Sequence, residues 1–444
     1  MDVAETVQRR REQRQEAAPG PELPEKKDHS ERVFTGLIIV VFLAYGLISG
    51  WHYVHRDYFV PLAEALLQGH LDVGRLPGHY NELVPSNGKW YVVFPFMPAL
   101  LVMPWVLVAK GTANQLWACL FFGSLNAALV LDIVRHFGQP LRRALLFAIL
   151  FAFGTVHWYG ASDGGAWHFA QVTALTFLFL AIREIPTGGR PWRMGMWLGM
   201  AMLCRLDTVM AFPFFLAFFL HRSKQEPGVP LLREEAGQDS TRRFPRDMRA
   251  WWQQYDPRRF ALGTLEFGGT LSVFAGLYLL YNALRFGSPL ITGYSLIPGL
   301  LEEPWYRDGF MSLSSIPRNL YTLLFKAPAF SEGFPYIRPY HVGGLSLLMT
   351  TPAFLWAIKA RGWNWLSVGS WLAVVGIALP ILLHGDIGGA QFGYRYAMDF
   401  YPFLLLLMIR GMGDRLTFEQ GLAIGLSLLV NAWGIWACVT GNWA

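Results

Sequence analysis

The sequence MGMWLGMAMLCRLDTVMAFPFFLAFFL, residues 194–220, decides which class of fold this chain can adopt. Its only charged residues are Arg205 and Asp207, near its middle. Its 27 residues exceed one transmembrane helix but fall short of the roughly 40 that two full helices need. We therefore predict a short membrane-embedded helical hairpin with its tip at these two charges. A charge at membrane depth costs about 2.5 to 3.5 kcal/mol, so the pair is a candidate functional site.

The composition of the whole chain is that of a membrane protein. Its 444 residues are 53% hydrophobic and 15% charged, with a mean hydropathy of +0.30, whereas soluble domains carry about 25% charge. The net charge of +6 comes from Lys and Arg residues between apolar runs, so we assign it to membrane topology and expect no nucleic-acid partner. Cys119, Cys204 and Cys438 lie in apolar stretches and predict neither disulfides nor a metal site.

Hydropathy and the positive-inside rule predict an all-α polytopic protein with about eleven transmembrane helices. Residues 1–33 are expected to be a disordered cytoplasmic tail, and residues 34–444 a single transmembrane domain. The proline-rich run 90–109 is expected to be a juxtamembrane or re-entrant helix. The predicted spans are 34–50, 115–134, 144–160, 167–182, two short helices within 194–220, 260–284, 345–358, 366–383, 400–409 and 416–437.

This topology places two large segments, 51–113 and 285–343, outside the membrane on one face, each bearing juxtamembrane helices. The basic loop 221–259 and the N-terminus are predicted to be cytoplasmic, and the C-terminus extracytoplasmic. We expect a multi-pass protein of the plasma (inner) membrane with its active site on the extracytoplasmic side.

The first candidate site follows the first span, where His55, Arg56, Asp57 and Tyr58 meet the outer membrane surface. A carboxylate there could deprotonate an incoming hydroxyl, so Asp57 is the candidate general base. The alternative is an interfacial belt of aromatic and charged residues. Arg56, and Glu82 further along the same outer segment, are candidate substrate ligands.

Two more clusters lie at predicted outer ends of spans. In the turn 162–168, paired glycines would let a ligand approach Asp163 and His168, although a plain interhelical turn explains them equally well. Arg205 and Asp207 could bind a substrate or could simply neutralise each other.

The last cluster contains Tyr394, Arg395 and Asp399, just before a short span. The planar fork of Arg395 suits a phosphate, and the flanking aromatic residues could lie against an isoprenoid chain. The alternative is an Arg–Asp pair that stabilises the end of a span. The chain has no phosphate-binding glycine loop, dinucleotide fingerprint or HExxH zinc helix, so we expect no cytosolic nucleotide as the donor. An enzyme whose polar residues lie on the outer face needs an activated substrate on that side, and a lipid-linked sugar meets this requirement.

These features resemble the GT-C superfamily of membrane glycosyltransferases, which includes protein O-mannosyltransferases and lipid A aminoarabinose transferases, as in glycosyltransferase family 39. The resemblance covers the order of spans over nearly the whole chain and includes Asp57 after the first span. Its other marks are DYFVPLAEALLQGHLD at 57–72, FPFMPALLVMPW at 94–105, GMAMLCRLDTVMAFPFFL at 199–216 and FGYRYAMDFYPFL at 392–404.

The resemblance implies transfer of a sugar from a polyprenyl-phosphate donor, with inversion, to a glycan, lipid or protein acceptor. Asp57 would be the general base, with Arg395 and Arg205 near the donor phosphate. The mannosyltransferases carry an Asp-Glu pair where this chain has Asp57 alone, and a lone carboxylate is a poor Mg²⁺ site. We therefore expect no metal and no cofactor, with a divalent cation left open. Peptide-sequon glycosylation, as by oligosaccharyltransferases, is not expected.

Two other classes of function stay open at this level. A transporter or lipid flippase that handles polyprenyl-linked substrates would also be polytopic, basic inside and supplied with membrane-embedded charges. A non-catalytic scaffold protein is the third. The polar residues gather on one face instead of at the midplane, and no repeated half is evident, so the sequence favours the enzyme.

Overall fold

The computed structural model describes residues 25–52, 54, 56–78, 80–224, 252–360, 362, 364–389 and 391–441. Residues 1–24 of the predicted tail, His55 of the first candidate cluster and residues 225–251 of the basic loop lie outside the described residues. The first helix begins at Glu25, so residues 25–33 of the predicted tail are helical.

The described chain is largely helical. In chain order the helices are α1 (Glu25–Ser49), α2 (Phe59–Leu67), α3 (Met97–Ala109), α4 (Gln115–His136), α5 (Leu141–Phe153), α6 (His157–Asp163), α7 (Ala166–Thr187), α8 (Pro191–Met202), α9 (Phe212–Arg222), α10 (Pro257–Phe286), α11 (Ile316–Leu324), α12 (Leu347–Thr350), α13 (Trp365–Leu383), α14 (Tyr401–Met412) and α15 (Phe418–Val439). The longer 3-10 turns are Leu206–Ala211, Pro352–Lys359 and Arg395–Phe400. Side-chain caps such as Asn114 before α4 and Asn364 before α13 satisfy N–H groups that a helix start leaves unpaired.

Among the described residues, six helices are long and apolar enough to cross a membrane, namely α1, α4, α7, α10, α13 and α15. The pair α5 and α6 makes a seventh if it is one span bent by 56°. At the bend the Thr155 hydroxyl donates to the Phe151 carbonyl and the Tyr45 hydroxyl of α1 donates to the Ala152 carbonyl, both at 2.7 Å. Backbone carbonyls at membrane depth need such internal donors, so Tyr45 ties the bend to the first span.

The remaining predicted spans are shorter than a membrane is thick. α8 and α14 have 12 residues each and α9 has 11. The predicted span 345–358 is instead the four-residue α12 and a 3-10 turn that begins at Pro352, since proline lacks the N–H that would continue the helix. Helices of full length therefore account for six or seven crossings, and the predicted count of about eleven is not confirmed. As predicted, Arg205 and Asp207 stand between the two short helices α8 and α9.

The segments 51–113 and 285–343, which we call the first and second outer segments after their predicted side, also contain β-hairpins, so the all-α expectation fails there. Strands β1 (Leu83–Ser86) and β2 (Lys89–Val92) pair in antiparallel fashion around Asn87 and Gly88, whose φ angles of 50° and 74° are those of a two-residue turn. The second outer segment holds β3 (Ala329–Phe330) and β4 (Ile337–Arg338). The predicted helix over 90–109 is therefore wrong at its start, because Trp90 lies in β2 and the helix begins at Met97.

Helix α14 lies in the protein core, with every side chain from Tyr401 to Ile409 buried. Its Gly411 meets the 3-10 turn Pro352–Lys359 at backbone distance, because a Cβ built on Gly411 would lie 1.8 Å from the Trp356 carbonyl oxygen. This close approach fixes the helix that carries the Arg395–Phe400 turn at its start.

Gly411→Ala is expected to destabilise the protein by about 1–3 kcal/mol, as overpacking does in other cores. The added methyl group cannot fit beside a backbone oxygen unless α14 or the turn shifts. The matched control is Gly425→Ala in α15, where a Cβ meets nothing within 4 Å. That change should be neutral or slightly stabilising, because alanine is the better helix former. Thermal unfolding of the two purified variants tests the prediction, and equal midpoints would contradict it.

Candidate active site

Trp167, at the start of α7, contacts three of the predicted site residues. Its indole Nε1–H donates to Glu82 Oε2 at 2.7 Å. Two guanidinium groups lie over its ring, that of Arg56 at 4.9 Å and that of Arg395 at 5.4 Å from the centroid. Cation–π contacts hold a guanidinium in place without using its N–H donors. Three charged side chains from distant parts of the sequence therefore meet at one indole.

Arg395 is the buried cation of this group, with 4% of its surface exposed. Its guanidinium also lies 4.6 Å from the centroid of the Tyr396 ring. Two glutamines fix its backbone, since Gln391 Oε1 accepts from its N–H at 2.9 Å and Gln171 Nε2 donates to its carbonyl at 3.0 Å. Its Nε and Nη1 atoms have no hydrogen-bond partner among the described residues. Buried, unused donors on a cation are costly, and an anionic ligand would remove that cost.

A second charged cluster adjoins the first. Arg205 Nη2 lies 2.9 Å from Asp399 Oδ2 and 3.4 Å from Asp207 Oδ2. Gln171 Nε2, which bonds to the Arg395 carbonyl, also lies 3.4 Å from both Asp399 oxygens. The hairpin tip is therefore not a simple Arg205–Asp207 pair, because the shorter contact of Arg205 is with Asp399 in a distant turn.

Asp57, the candidate base, is buried directly after the exposed Arg56. The Tyr80 phenol donates a hydrogen bond to Asp57 Oδ1. Tyr80 packs edge-on against Tyr58, with ring centroids 5.1 Å apart, and the Tyr58 hydroxyl accepts from the Glu82 backbone N–H at 3.0 Å. The two carboxylates Asp57 and Glu82 thus belong to one hydrogen-bonded and stacked unit of the first outer segment.

Asp163 and His168 face each other across the glycine turn before α7. His168 is buried, and its Nδ1 lies 2.7 Å from Asp163 Oδ2. Gly164 has a φ of 69°, a left-handed conformation that glycine adopts without strain, so the chain can reverse there. The pair closes the turn that sets Trp167 at the start of its helix. Tyr394, the remaining predicted residue, is buried and packs edge-on against Tyr396 with centroids 5.7 Å apart.

Glu82 has the electrostatics of an acid–base group. Burial raises its pKa to about 7, against the opposing effects of the Trp167 hydrogen bond and of the positive charges on Arg395 and Arg56. The like charge of Asp386 adds to the increase. A carboxyl group that titrates near neutral pH can take up or release a proton there.

The pKa of Glu82 predicts a pH dependence of stability. Because the folded protein holds this proton more tightly than the unfolded chain, the stability it contributes is present below about pH 4.5 and is lost as the pH rises through about 7. The unfolding midpoint of wild type should therefore fall relative to that of Glu82→Gln between about pH 5 and pH 8. Trp167→Phe removes a hydrogen bond that lowers the pKa, so it should move this dependence to higher pH. Parallel curves for wild type and Glu82→Gln would contradict the assignment.

The structure joins six predicted site residues into one connected group: Arg56, Glu82, Arg205, Asp207, Arg395 and Asp399. Asp57 is linked to this group through Tyr80 and Tyr58, and Asp163, His168 and Tyr394 lie at its edge. Sequence reasoning misses three residues that make the connections, Tyr80, Trp167 and Gln171. Tyr396 is included as an aromatic neighbour of Arg395, but in contact with an isoprenoid chain and not with Arg205 and Arg395. Gln171 could have been identified from the sequence, because it is a polar residue one helical turn after Trp167 in an apolar span.

Metal-binding groups are not evident in the described part of the chain. No three His, Cys, Asp or Glu side chains there are placed to hold one ion. Cys119 and Cys204 are buried thiols, and Cys438 is half-buried. The expectation that the protein uses no cofactor stays a prediction.

The fold and this site define a polytopic membrane protein with a partly buried cluster of charges. Its fold is similar to that of the Archaeoglobus fulgidus oligosaccharyltransferase, in the crystal structure of the apo form, over 93% of this chain. The match has a TM-score of 0.48 and 11% identity and covers 56% of that chain, so the present chain spans little more than half its length. At this TM-score the likeness concerns the course of the chain and bears on no site residue. No protein-family model and no curated protein matches the sequence.

Proposed function

We propose that the chain is a glycosyltransferase that moves a sugar from a polyprenyl-phosphate donor to an acceptor hydroxyl, with inversion, on the extracytoplasmic face of the membrane. The observation that carries the proposal is Arg395, a buried guanidinium with two nitrogen atoms that lack a hydrogen-bond partner among the described residues. It stands beside carboxyl groups and close to the ends of apolar helices, where a charged headgroup and an apolar tail could bind together.

Arg395 is proposed to bind the donor phosphate. Trp167 and Tyr396 contact its guanidinium through their rings, and Nε and Nη1 have no hydrogen-bond partner among the described residues. A guanidinium fork matches two phosphate oxygens and stays charged throughout the reaction. Arg205 is less suited to this role, because Asp399 and Asp207 already neutralise it. We propose that Arg205 and Asp399 instead position the turn that carries Arg395.

Asp57 is proposed as the general base. It takes the proton of the acceptor hydroxyl while that oxygen attacks the anomeric carbon from the side opposite the phosphate. The bond between the anomeric carbon and the phosphate oxygen breaks, and its electron pair leaves with the polyprenyl phosphate. The Tyr80 hydroxyl, which donates to Asp57, holds the carboxylate in place, and Arg395 stabilises the charge on the leaving phosphate.

A transfer assay in membranes tests the proposal. Membranes that contain the protein are supplied with a radiolabelled sugar on polyprenyl phosphate, and lipid, glycan and protein fractions are counted against membranes without it. Label in one fraction is expected, and that fraction identifies the acceptor class. If the inserted protein moves polyprenyl phosphate between leaflets but labels no fraction with any sugar, the protein is a flippase and the proposed transferase activity is wrong. Sugar type, whether mannose or another hexose or pentose, follows from which donor is consumed.

A further inference from the structure

The second outer segment carries an aromatic surface on the hairpin formed by β3 and β4. Phe330 is 90% exposed, Phe334 79% and Tyr336 61%. The rings of Phe334 and Tyr336 lie edge-on with centroids 6.4 Å apart, and so much exposed aromatic area within seven residues is typical of an interaction surface. We name these three residues the aromatic hairpin. None of them contributes to the site around Trp167.

The aromatic hairpin lies beside the end of a long apolar helix, which points to lipid as its partner. The ring of Phe334 packs against the ring of Trp436, with centroids 6.4 Å apart. Trp436 lies in the last turn of α15, one of the helices long enough to cross the membrane, and is itself exposed. Leu429 and Val439 of the same helix are also exposed. The aromatic hairpin therefore continues the exposed apolar surface of α15 beyond the end of that helix.

The surroundings of the aromatic hairpin suit a lipid surface. Leu313, Tyr321 and Phe325, in and beside α11, expose further apolar area of the same segment. Residues 313–343 contain three basic side chains, Arg318, Lys326 and Arg338, and one acidic side chain, Glu332. Aromatic rings favour the boundary between headgroups and acyl chains, and Lys and Arg side chains act as anchors at the same boundary.

We propose that the aromatic hairpin inserts into the headgroup–acyl boundary of the leaflet at the C-terminal end of α15. It anchors the second outer segment to the membrane at a point separate from the spans. The proposal does not depend on the proposed glycosyl transfer, because no substrate or site residue enters it.

Fluorescence of a labelled single-cysteine position tests the insertion. Phe330→Cys is made in a Cys438→Ser background, where Cys119 and Cys204 are buried, labelled with the environment-sensitive dye NBD and placed in lipid nanodiscs. We expect a blue-shifted emission and a loss of intensity when the lipids carry a spin label near the headgroup. Lys89→Cys, at the polar turn of the other hairpin, is the matched control and should show neither change.

Two outcomes would overturn the proposal. A label at position 330 that emits as in water and is not quenched places the hairpin in solvent. A blue-shifted label that the spin-labelled lipids do not quench places it against protein, either a partner or a second copy. Tyr336→Cys repeats the measurement at a second position, so poor folding of one variant does not decide the result. Circular dichroism of each labelled protein checks that the fold is kept.

Discussion

Asp57→Asn is expected to lower the rate of sugar transfer by about 10² to 10⁴, the usual contribution of a general base. The amide keeps the size of the carboxylate and can still accept the hydrogen bond from Tyr80, but it cannot take the acceptor proton. The unfolding midpoint should stay close to that of wild type. The measurement is the initial rate of label transfer by purified protein at saturating donor.

Asp72→Asn is the matched control for this prediction, because it changes the same residue type in the same outer segment. Asp72 forms an exposed ion pair with Lys89 at 2.8 Å, and pairs of that kind contribute about 0–1 kcal/mol to stability. Its transfer rate should match that of wild type. A fully active Asp57→Asn protein would remove the proposed role of Asp57, whereas equal losses in both variants would point to a general disturbance of the segment.

Arg395→Gln is expected to lower transfer by about 10² to 10³, as the loss of one preorganised charge does in other active sites. The KM for the polyprenyl-phosphate donor should rise because the phosphate loses a ligand. The maximal rate should fall because the phosphate gains charge as it leaves. Arg395→Lys keeps the charge but loses the planar fork, so its rate should lie between those of wild type and Arg395→Gln. Steady-state kinetics with varied donor concentration measure both parameters.

Arg56→Gln provides the comparison for Arg395, since both guanidinium groups lie over the Trp167 ring. Arg56 is exposed, so solvent and salt screen its charge, and we expect a smaller loss. If Arg395→Gln leaves the donor KM unchanged while Arg56→Gln raises it, the phosphate ligand is Arg56 and the proposal for Arg395 is wrong.

The sequence predicts the six long helices and the position of Arg205 and Asp207 between α8 and α9, because these depend on local quantities. Runs of apolar residues set where helices can cross, and a charge pair inside such a run, Arg205 and Asp207, needs a polar environment. The hairpin of β1 and β2 could also have been predicted, because an Asn-Gly pair between apolar strands is a strong turn signal. It is missed when hydropathy alone is followed, since Trp90 begins an apolar run that continues into α3.

The partners inside the site depend on packing, which a single sequence does not contain. Asp399 lies 194 residues beyond Arg205, and nothing local to either residue indicates their contact. The Tyr80 hydrogen bond to Asp57 spans 23 residues that comprise α2 and the loop after it, and no periodicity predicts this contact. Trp167 follows a glycine turn that is visible in the sequence, but its contacts with Arg56, Glu82 and Arg395 exist only once four segments are folded together.

The short helices α8 and α14 bear on the depth of the charged cluster in the membrane. A helix of 12 residues is about 18 Å long, whereas the hydrocarbon core of a bilayer is about 30 Å thick. If Arg190 and Arg410 lie at the cytoplasmic boundary, as their charge predicts, these helices end short of the opposite boundary, so we expect Arg205 and Asp399 to lie below that boundary. The contact between these two residues agrees with the equal length of the two helices. For the proposed transfer we therefore expect a slender acceptor, such as a glycan end, a lipid headgroup or an extended peptide, because a folded protein surface would stop at the membrane.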